Sequence, residues 1–218
     1  MTRSRPALPA DATVFIIEDD AALADALQFL LGSRGMRSEH FDSAEAFWSH
    51  LNARQPWPQA AACIVLDVRM KRMSGIELFD RLCARDPAHL APVIFLSGHG
   101  DIEMAVEALK KGALDFFEKP FNDNRLADRL LEALELSHQR LHQALGAADV
   151  DARLARLSAR ERDVMALVLA GKLNKLIAHE LGISMRTVEV HRASLFAKMQ
   201  VRSAVELAHL VSRSTSAR

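Results

Sequence analysis

Carboxylate residues follow two apolar runs in the first half of the chain and are of the type that binds a divalent cation. Glu18 and Asp19 come directly after the run Val14–Ile17, and Asp67 comes directly after the run Ala62–Leu66. The carboxyl ends of neighbouring parallel strands meet at one edge of a sheet, so these side chains are expected to converge. Clustered carboxylates repel one another unless a cation lies among them, and oxygen ligands favour a hard ion such as Mg²⁺. The pattern therefore predicts a magnesium site.

Two further polar residues follow later segments and complete a site suited to phosphoryl transfer. Ser97 ends the run Val93–Leu96, and Lys119 comes shortly after the segment Leu114–Phe117. A hydroxyl and an ammonium group can bind phosphoryl oxygens, and phosphoryl transfer needs little beyond positioning and charge neutralisation. We expect Asp67 to attack an incoming phosphoryl group and to form an acyl phosphate.

Strand-like and helix-like segments alternate through the first half of the chain. Runs rich in β-branched and aromatic residues predict strands, and apolar residues at helical spacing predict the helices between them. Five such alternations predict an α/β doubly wound five-stranded parallel sheet with the order 2-1-3-4-5, which places strands one and three side by side. The expected strands are Val14–Ile17, Met36–Phe41, Ala62–Leu66, Val93–Leu96 and Leu114–Phe117. The expected helices lie near Leu23–Leu31, Ser43–Ala53, Ile76–Arg85, Ile102–Lys111 and Arg125–Leu145.

The second half of the chain contains only helical signals. Ser158 and Glu161 have the spacing of a capping box, which predicts the start of a helix. A short helix at Asn174–Leu181, a tight turn and a longer helix from Ser184 to Met199 follow, and a last amphipathic helix covers Ser203–Val211. Four helices in this short segment predict a small all-α helix-turn-helix domain.

The longer of these helices has two faces of different character. Val188, Leu195 and Met199 share one stripe, which we assign to the core. In helix-turn-helix proteins this second helix enters the major groove of DNA by its N-terminal half. Five residues on another stripe are expected to face the groove: Arg186, Glu189, Val190, Ala193 and Ala197. Six residues around that stripe are expected to reach phosphates: Lys175, Ser184, Thr187, His191, Arg192 and Lys198.

Charge and composition agree with two domains that have different partners. Residues 1–136 contain 15 Lys and Arg against 21 Asp and Glu, whereas residues 137–218 contain 13 against 7. The basic second half is expected near a polyanion. Cys63 and Cys83 lie in apolar contexts, so we expect buried thiols and a cytoplasmic protein. No apolar stretch is long enough to span a membrane.

Several motifs of the first half occur in the order and spacing of a known family. They are Glu18-Asp19, Asp67 with Met70 and Gly75, Ser97-Gly98-His99-Gly100-Asp101 and Lys119-Pro120-Phe121. They resemble the receiver domain of two-component signalling proteins. The resemblance implies that Asp67 is the phosphoacceptor, that Asp19 binds Mg²⁺ directly and that Glu18 binds it through water. It also implies a metal ligand in the backbone carbonyl of Arg69, a cis peptide bond before Pro120 and a switch role for Phe116.

Motifs of the second half are similar to a LuxR-type output domain. They are Leu157-Ser158 with Arg160-Glu161, Gly171, Asn174-Lys175 with Ile177-Ala178, Leu181-Gly182-Ile183-Ser184, Thr187-Val188-Glu189-Val190-His191-Arg192, Lys198-Met199 and Ala204-Val205-Glu206-Leu207. The whole chain therefore resembles a response regulator of the FixJ/NarL type. Its expected segments are a flexible N-terminus at 1–11, a receiver domain at 12–136, a partly helical linker at 137–154 and a DNA-binding domain at 155–213.

This resemblance implies a transcription factor without dedicated turnover of an external substrate. Its expected partners are a sensor histidine kinase, double-stranded DNA, a second copy of the chain on activation and RNA polymerase, with no membrane partner. Phosphorylation of Asp67 is expected to draw Ser97 inward, repack Phe116 and shift the chain toward the DNA-binding or dimeric form. The last helix is expected to bury Val205, Leu207, Ala208 and Val211 on a face that one domain does not fully cover.

Several readings stay open at this point. The receiver could be vestigial in a phosphorylation-independent DNA-binding protein. The chain could also be a phosphotransferase of the haloacid-dehalogenase type, although that chemistry needs a second acid where Arg69 stands. Phe116 and Phe117 could simply alternate across the sheet. Glu189 could accept from a cytosine amino group or pair with a neighbouring arginine, and His191 could be a packed residue.

Departures from the family's commonest pattern leave one property of the acyl phosphate open. Glu18 stands where an aspartate is usual, Ser97 where a threonine is usual, and Lys71 where a proline is usual. Basic residues are also expected around the site and could change the lifetime of the acyl phosphate, in a direction that the sequence does not assign: Arg69, Arg72 and His99.

Overall fold

The computed structural model describes residues 9–54, 56–98 and 102–215, without the side chains of residues 102 and 213–215. The chain divides into two compact units, 1–141 and 142–218, and this division falls inside the segment 137–154 that the sequence predicts as a linker. Most of the N-terminus predicted as flexible, 1–11, lies outside the described residues. His99, Gly100 and Asp101 also lie outside them.

The first unit is built on a five-stranded parallel sheet with the strand order β2-β1-β3-β4-β5, which confirms the predicted order. The strands are β1 (Thr13–Ile17), β2 (Arg37–Phe41), β3 (Ala62–Asp67), β4 (Val93–Ser97) and β5 (Asp115–Glu118). The helices are α1 (Ala21–Ser33), α2 (Ala44–Ala53), α3 (Gly75–Arg85), α4 (Ile102–Lys110) and α5 (Asp123–Ala155).

Two apolar cores cover the two faces of this sheet. Helices α2, α3 and α4 pack on one face around Phe47, Phe79 and Phe95, whereas α1 and α5 pack on the other around Leu27 and Leu130. Every residue of β3 and β4 is buried because helices cover both faces. This is the reason that these strands are continuous apolar runs instead of alternating ones.

Short polar side chains fix the starts of the helices near the carboxyl edge of the sheet. The Asp20 carboxylate accepts hydrogen bonds from the backbone of α1, and Ser43 accepts one from α2. Ser74 accepts one from the backbone nitrogen of Glu77 at the start of α3. Each cap satisfies a backbone N–H group that has no partner within its helix. The caps therefore fix the residues at which these helices begin after the strand ends.

Helix α5 is longer than the sequence predicts. The expectation was a helix ending near Leu145 and a partly helical linker at 137–154, but a single helix runs from Asp123 to Ala155. Gly146 does not interrupt it, because one glycine costs a helix only about 1 kcal/mol relative to alanine. The two residues on either side of Gly146 are three alanines and one leucine, which favour helix, and no proline occurs in α5.

The second unit contains helices α6 (Ala159–Leu169), α7 (Asn174–Leu181), α8 (Met185–Met199) and α9 (Ala204–Thr215) after the end of α5. Val188, Leu195 and Met199 are fully buried, as the stripe on α8 predicts. On α9, Leu207 is buried, whereas Val205 is 66% exposed and Ala208 is exposed. The expected apolar face of α9 is therefore two stripes, because positions 205 and 208 point away from the stripe that contains 207 and 211.

Within the described residues, no helix combines the length and the apolar character that crossing a membrane requires.

Candidate functional site

The three predicted carboxylates meet at the carboxyl edge of the sheet. Strands β1 and β3 are paired with Ile17 opposite Leu66, so the residues that follow them lie side by side. One carboxylate oxygen from each of Glu18, Asp19 and Asp67 lies within 4.8 Å of the others. Glu18 is 2% exposed and Asp67 is 5% exposed, while Asp19 is more open to solvent. The arrangement is a compact set of oxygen ligands that is open on one side.

Lys119 supplies the positive charge among these acids. Its Nζ donates to Glu18 Oε2 at 2.7 Å and to Asp67 Oδ1 at 2.6 Å. Burial lowers the pKa of Lys119, but the hydrogen bonds to Asp67 and Glu18 outweigh burial and the pKa is raised. Burial raises the pKa of Glu18, the hydrogen bond from Lys119 opposes that shift, and the charge of Asp67 adds to it. The acidic cluster is therefore stabilised by a nearby cation, and the ammonium group of Lys119 is such a cation.

The backbone that follows Asp67 holds its carboxylate in place. The backbone nitrogen of Arg69 donates to Asp67 Oδ2 at 2.9 Å, and that of Gly75 donates to the carbonyl oxygen of Val68 at 3.1 Å. A Cβ atom at Gly75 would lie 2.0 Å from the carbonyl oxygen of Asp67. Glycine at position 75 therefore allows α3 to begin directly against the backbone of Asp67.

Ser97 lies at the end of β4, beside the predicted phosphoacceptor. Asp67 pairs with Leu96 in the sheet, so Ser97 is one residue further along the same edge, and it is fully buried. Its Oγ donates to the carbonyl oxygen of Gly98 at 3.1 Å. Its own carbonyl oxygen accepts from the backbone nitrogen of Lys119 at 2.7 Å, which joins the ends of β4 and β5 at the site. The peptide bond between Lys119 and Pro120 is cis, as the resemblance implies.

Phe116 and Phe117 point to opposite faces of the sheet, as the simple alternation predicts. Phe117 is buried in the core under α1 and α5. Phe116 is partly buried on the other face, where its ring centroid lies 6.2 Å from that of Phe95 at an interplanar angle of 34°. The alternation is compatible with a switch role for Phe116, because a partly exposed ring has space to change its packing.

Two contacts at this site have no signal in the sequence. The ring of His40 lies 2.9 Å from the carbonyl oxygen of Glu18, measured from Nε2, and Glu45 Oε1 accepts from the backbone nitrogen of Met73 at 3.2 Å. Both residues hold loops of the site from β2 and α2. Only the spatial adjacency of these elements reveals them, because neither residue forms a motif with its sequence neighbours.

The basic helix of the second unit presents the expected surface. Ser184 caps α8 by accepting from the backbone nitrogen of Thr187 at 3.1 Å. Val190 is 62% exposed, an unusual exposure for a large apolar side chain. The other residues expected to face a groove are also exposed: Arg186, Glu189, Ala193 and Ala197. Within the described residues Glu189 has no ion pair, so of its two alternatives the pairing with a neighbouring arginine is not formed.

The residues expected to reach phosphates divide into two groups. Lys175 is exposed, and in the described part of the chain its ammonium group has no hydrogen bond or ion pair. Arg192 donates to Asn174 Oδ1 at 2.9 Å and lies 5.4 Å above the ring of Phe196. The Nζ of Lys198 donates to Glu161 Oε2 at 2.7 Å. Arg192 and Lys198 thus already have partners within the unit, whereas Lys175 is open to a ligand.

Comparisons with known proteins assign the family. The family model described as response regulator receiver domain matches residues 14–131, and the model described as bacterial regulatory proteins, luxR family, matches residues 155–211. The chain belongs to the response regulators that carry a receiver domain and a LuxR-type DNA-binding domain. It is thus a transcription regulator by family, and that family is not one of dedicated enzymes.

Individual relatives match this chain along nearly their whole length. The C4-dicarboxylate transport transcriptional regulatory protein DctR of Rhodobacter capsulatus is 47% identical over 91% of this chain and 98% of its own length. The transcriptional regulatory protein FixJ of Bradyrhizobium diazoefficiens is 44% identical over 92% of this chain and 94% of its own. The solved structure of the response regulator StyR is 40% identical with a TM-score of 0.82, over 93% of this chain and 98% of that one.

Proposed function

We propose that phosphorylation of Asp67 by a sensor histidine kinase, in the presence of Mg²⁺, controls DNA binding by α8. The observation that carries this proposal is the convergence of Glu18, Asp19 and Asp67 within 4.8 Å, with Lys119 bonded to two of them. Phosphoryl transfer to a carboxylate requires a placed nucleophile and neutralised charge, and both requirements are met by residues of this edge. Arg69 stands where a phosphotransferase of the haloacid-dehalogenase type needs a second acid, which disfavours hydrolysis of an external substrate.

The donor set at this edge fits Mg²⁺. The groups that would hold the ion offer only oxygen atoms: the carboxylates of Glu18, Asp19 and Asp67 and, as the resemblance implies, the backbone carbonyl of Arg69. The ammonium group of Lys119 occupies part of this anionic site as an internal counter-ion. When bound, Mg²⁺ supplies the charge neutralisation that lets an anionic phosphodonor approach a carboxylate.

The residues of the chain carry out the transfer itself. A carboxylate oxygen of Asp67 attacks phosphorus, the new oxygen–phosphorus bond forms, and the bond from phosphorus to the donor's histidine nitrogen breaks. The leaving imidazole keeps the electron pair and takes a proton from solvent. Lys119 then pairs with a phosphoryl oxygen, and Ser97 Oγ turns from the carbonyl of Gly98 to donate to another. The inward movement of Ser97 leaves space for Phe116 to repack.

We propose that the exposed N-terminal half of α8 binds the major groove of DNA. Arg186, Glu189, Val190 and Ala193 face the base edges, with the apolar Val190 against a thymine methyl group. Phosphates are bound by residues around this face: Lys175, Ser184, Thr187, His191 and Arg192. The phosphorylated chain acts as a homodimer in the cytoplasm and works with RNA polymerase. Lys198 belongs to a different group of residues, because its ammonium group is bonded to Glu161.

The test couples labelling of Asp67 to DNA affinity. Full-length protein is treated with acetyl phosphate with and without Mg²⁺, and the acyl phosphate is measured by intact mass. Binding to a duplex selected from a randomised pool is then measured by fluorescence anisotropy. We expect labelling that requires Mg²⁺ and an increase in affinity of about tenfold, which is within the usual range of coupling between two sites.

Two variants serve as controls for this test. Asp67→Asn removes the nucleophile and is expected to abolish both effects, while Asp20→Asn keeps a capping side chain at α1 and is expected to preserve both. Efficient labelling without any change in DNA affinity would contradict control by phosphorylation and favour the phosphorylation-independent alternative. Absence of labelling on Asp67 would contradict the acceptor site itself.

A further inference from the structure

Glu161 is a buried acid that neither the phosphoryl chemistry nor the proposed DNA contacts use. It is 4% exposed, and both of its carboxylate oxygens accept hydrogen bonds. Oε1 accepts from Ser194 Oγ at 2.6 Å, and Oε2 accepts from the backbone nitrogen of Ser158 at 2.7 Å and from Lys198 Nζ at 2.7 Å. The hydrogen bonds from Lys198, Ser194 and Ser158 lower the pKa of Glu161 to about 2.

This one carboxylate connects two helices. Ser158 and Glu161 form the capping box at the start of α6, whereas Ser194 and Lys198 are four residues apart on α8. Residues at this spacing lie on one face of a helix, so the C-terminal half of α8 is held against the start of α6. A second charged contact lies at the end of α8, where Arg153 Nη1 donates to the carbonyl oxygen of Met199 at 2.9 Å. The groove-facing residues lie mainly on the other, N-terminal half.

The ion pair restricts what Lys198 can do. If its ammonium group moved to a DNA phosphate, the buried carboxylate of Glu161 would lose the only charged donor that it has among the described residues. The Glu161 side chain is 5% exposed and that of Lys198 is 36% exposed, so loss of the ammonium group would leave a buried carboxylate without its cation, and this cost offsets part of the gain from a phosphate. Lys175 offers the contrast within the same motif, since it is exposed and gives up no partner in the described part of the chain.

We infer that Lys198 is a positioning residue, bonded internally to Glu161, which fixes the orientation of α8 for base recognition and does not bind phosphate. This inference rests on the proposed binding of DNA by α8. It changes the role expected from the sequence, where Lys198 stands among the phosphate contacts.

The first test is the salt dependence of DNA binding by the full-length chain. The probe is a fluorescent duplex selected with the wild-type protein from a randomised pool. Each phosphate contact contributes about −0.9 to the slope of log affinity against log salt concentration. We expect Lys175→Met to make the slope shallower by about 0.9, and Lys198→Met to leave the slope unchanged. A slope that becomes equally shallow in both variants overturns the inference.

The second test is base discrimination, which loss of a phosphate contact alone does not change. It is the ratio of the affinities for the selected duplex and for a shuffled duplex of the same composition. Lys198→Met and Glu161→Gln are expected to lower this ratio about tenfold, comparable to one lost base contact. Lys198→Arg keeps the charge and is expected to retain the ratio. Lys175→Met is expected to weaken binding to both duplexes equally. An unchanged ratio in both Lys198→Met and Glu161→Gln refutes the positioning role.

Folding and the proposed function are checked separately. Helical circular dichroism identifies a variant that fails to fold, and in that case Glu161→Gln and Lys198→Arg decide, because each alters one group conservatively. A wild-type chain that selects no duplex contradicts the proposed DNA binding, and the inference about Lys198 is then refuted with it. A wild-type chain that binds, with variants that behave as the phosphate contact does, refutes the inference alone.

Discussion

Replacement of Gly75 by alanine tests the close contact between α3 and the end of β3 at Asp67. The new Cβ atom would lie 2.0 Å from the carbonyl oxygen of Asp67, 3.0 Å from its carbonyl carbon and 3.2 Å from Leu66 Cγ. Atoms in favourable contact are about 3.5–4.0 Å apart, so the backbone must move by roughly 1 Å or more. The clash is with the backbone carbonyl group of Asp67 in a fully buried strand, and backbone cannot relieve a clash by changing rotamer as a side chain can.

The expected loss of stability follows from this clash. Overpacking of a core costs about 1–3 kcal/mol, and the rigid partner places Gly75→Ala toward the upper end of that range. Alanine recovers about 0.5–1 kcal/mol because it favours helix over glycine. We therefore expect Gly75→Ala to lower the free energy of unfolding of the first unit by about 2 kcal/mol. We also expect slower labelling of Asp67 by acetyl phosphate, since its backbone is displaced.

The assay is urea unfolding followed by tryptophan fluorescence. Both tryptophans of the chain, Trp48 and Trp57, belong to the first unit, so the signal reports that unit. The matched control is Gly32→Ala in α1, where no atom lies within 4 Å of the added Cβ. This control is expected to keep or slightly raise the stability. If Gly75→Ala unfolds at the same urea concentration as Gly32→Ala, the argument from the close contact is wrong.

Three further predictions concern the charged clusters and the second core. Lys119→Met removes the internal counter-ion of the acidic site, so Mg²⁺ should bind more tightly, by about tenfold in calorimetric titration, while weaker binding would contradict the competition. Because the pKa of Glu161 is lowered to about 2, its charge stabilises the folded second unit above the ordinary carboxyl range near pH 4.5. This stabilisation is lost as the pH falls from there to about 2, and Glu161→Gln should flatten that dependence of amide protection in α6 and α8. Leu195→Ala, at a fully buried position, should destabilise the second unit by about 3 kcal/mol, measured by thermal unfolding against Ala193→Ser at an exposed position.

Much of the fold and of the acidic site could be predicted from sequence because two regular patterns coincide. Buried parallel strands are continuous apolar runs, so the polar residues that end them stand out, as Asp67 and Ser97 do. Parallel strands also deliver their ends to one edge, which brings residues as distant as Glu18 and Lys119 together. The first rule depends on the spacing of apolar residues, and the second depends on the direction of the strands. Both can be inferred from the order of residues in the sequence.

Other features depend on contacts that no local pattern encodes. The sequence does not predict that α5 continues through Gly146. One glycine destabilises a helix only slightly, and the helix propensity of the alanines around it compensates. The exposure of Val205 was missed because the apolar residues of α9 form two stripes, and only the packing of the unit shows which one is buried. The reason for Gly75 is likewise spatial, since its neighbour is the backbone of a strand eight residues earlier.

The two lysines that bind carboxylates show how the surroundings decide the role of one residue type. Lys119 bridges Glu18 and Asp67 at a site that is open to solvent on one side. In the proposed function, a metal ion replaces the ammonium group beside the carboxylates, and a phosphoryl group replaces a carboxylate beside the ammonium group. Lys198 is bonded to a carboxylate that is 5% exposed and that also accepts from Ser158 and Ser194, so displacement of the ammonium group would leave a buried charge without its cation. Addition of Mg²⁺ should therefore shift the side-chain ammonium signal of Lys119 in a nitrogen-resolved magnetic resonance spectrum and leave that of Lys198 unchanged. Equal shifts of both signals would mean that the pairing in the second unit is as exchangeable as that in the first.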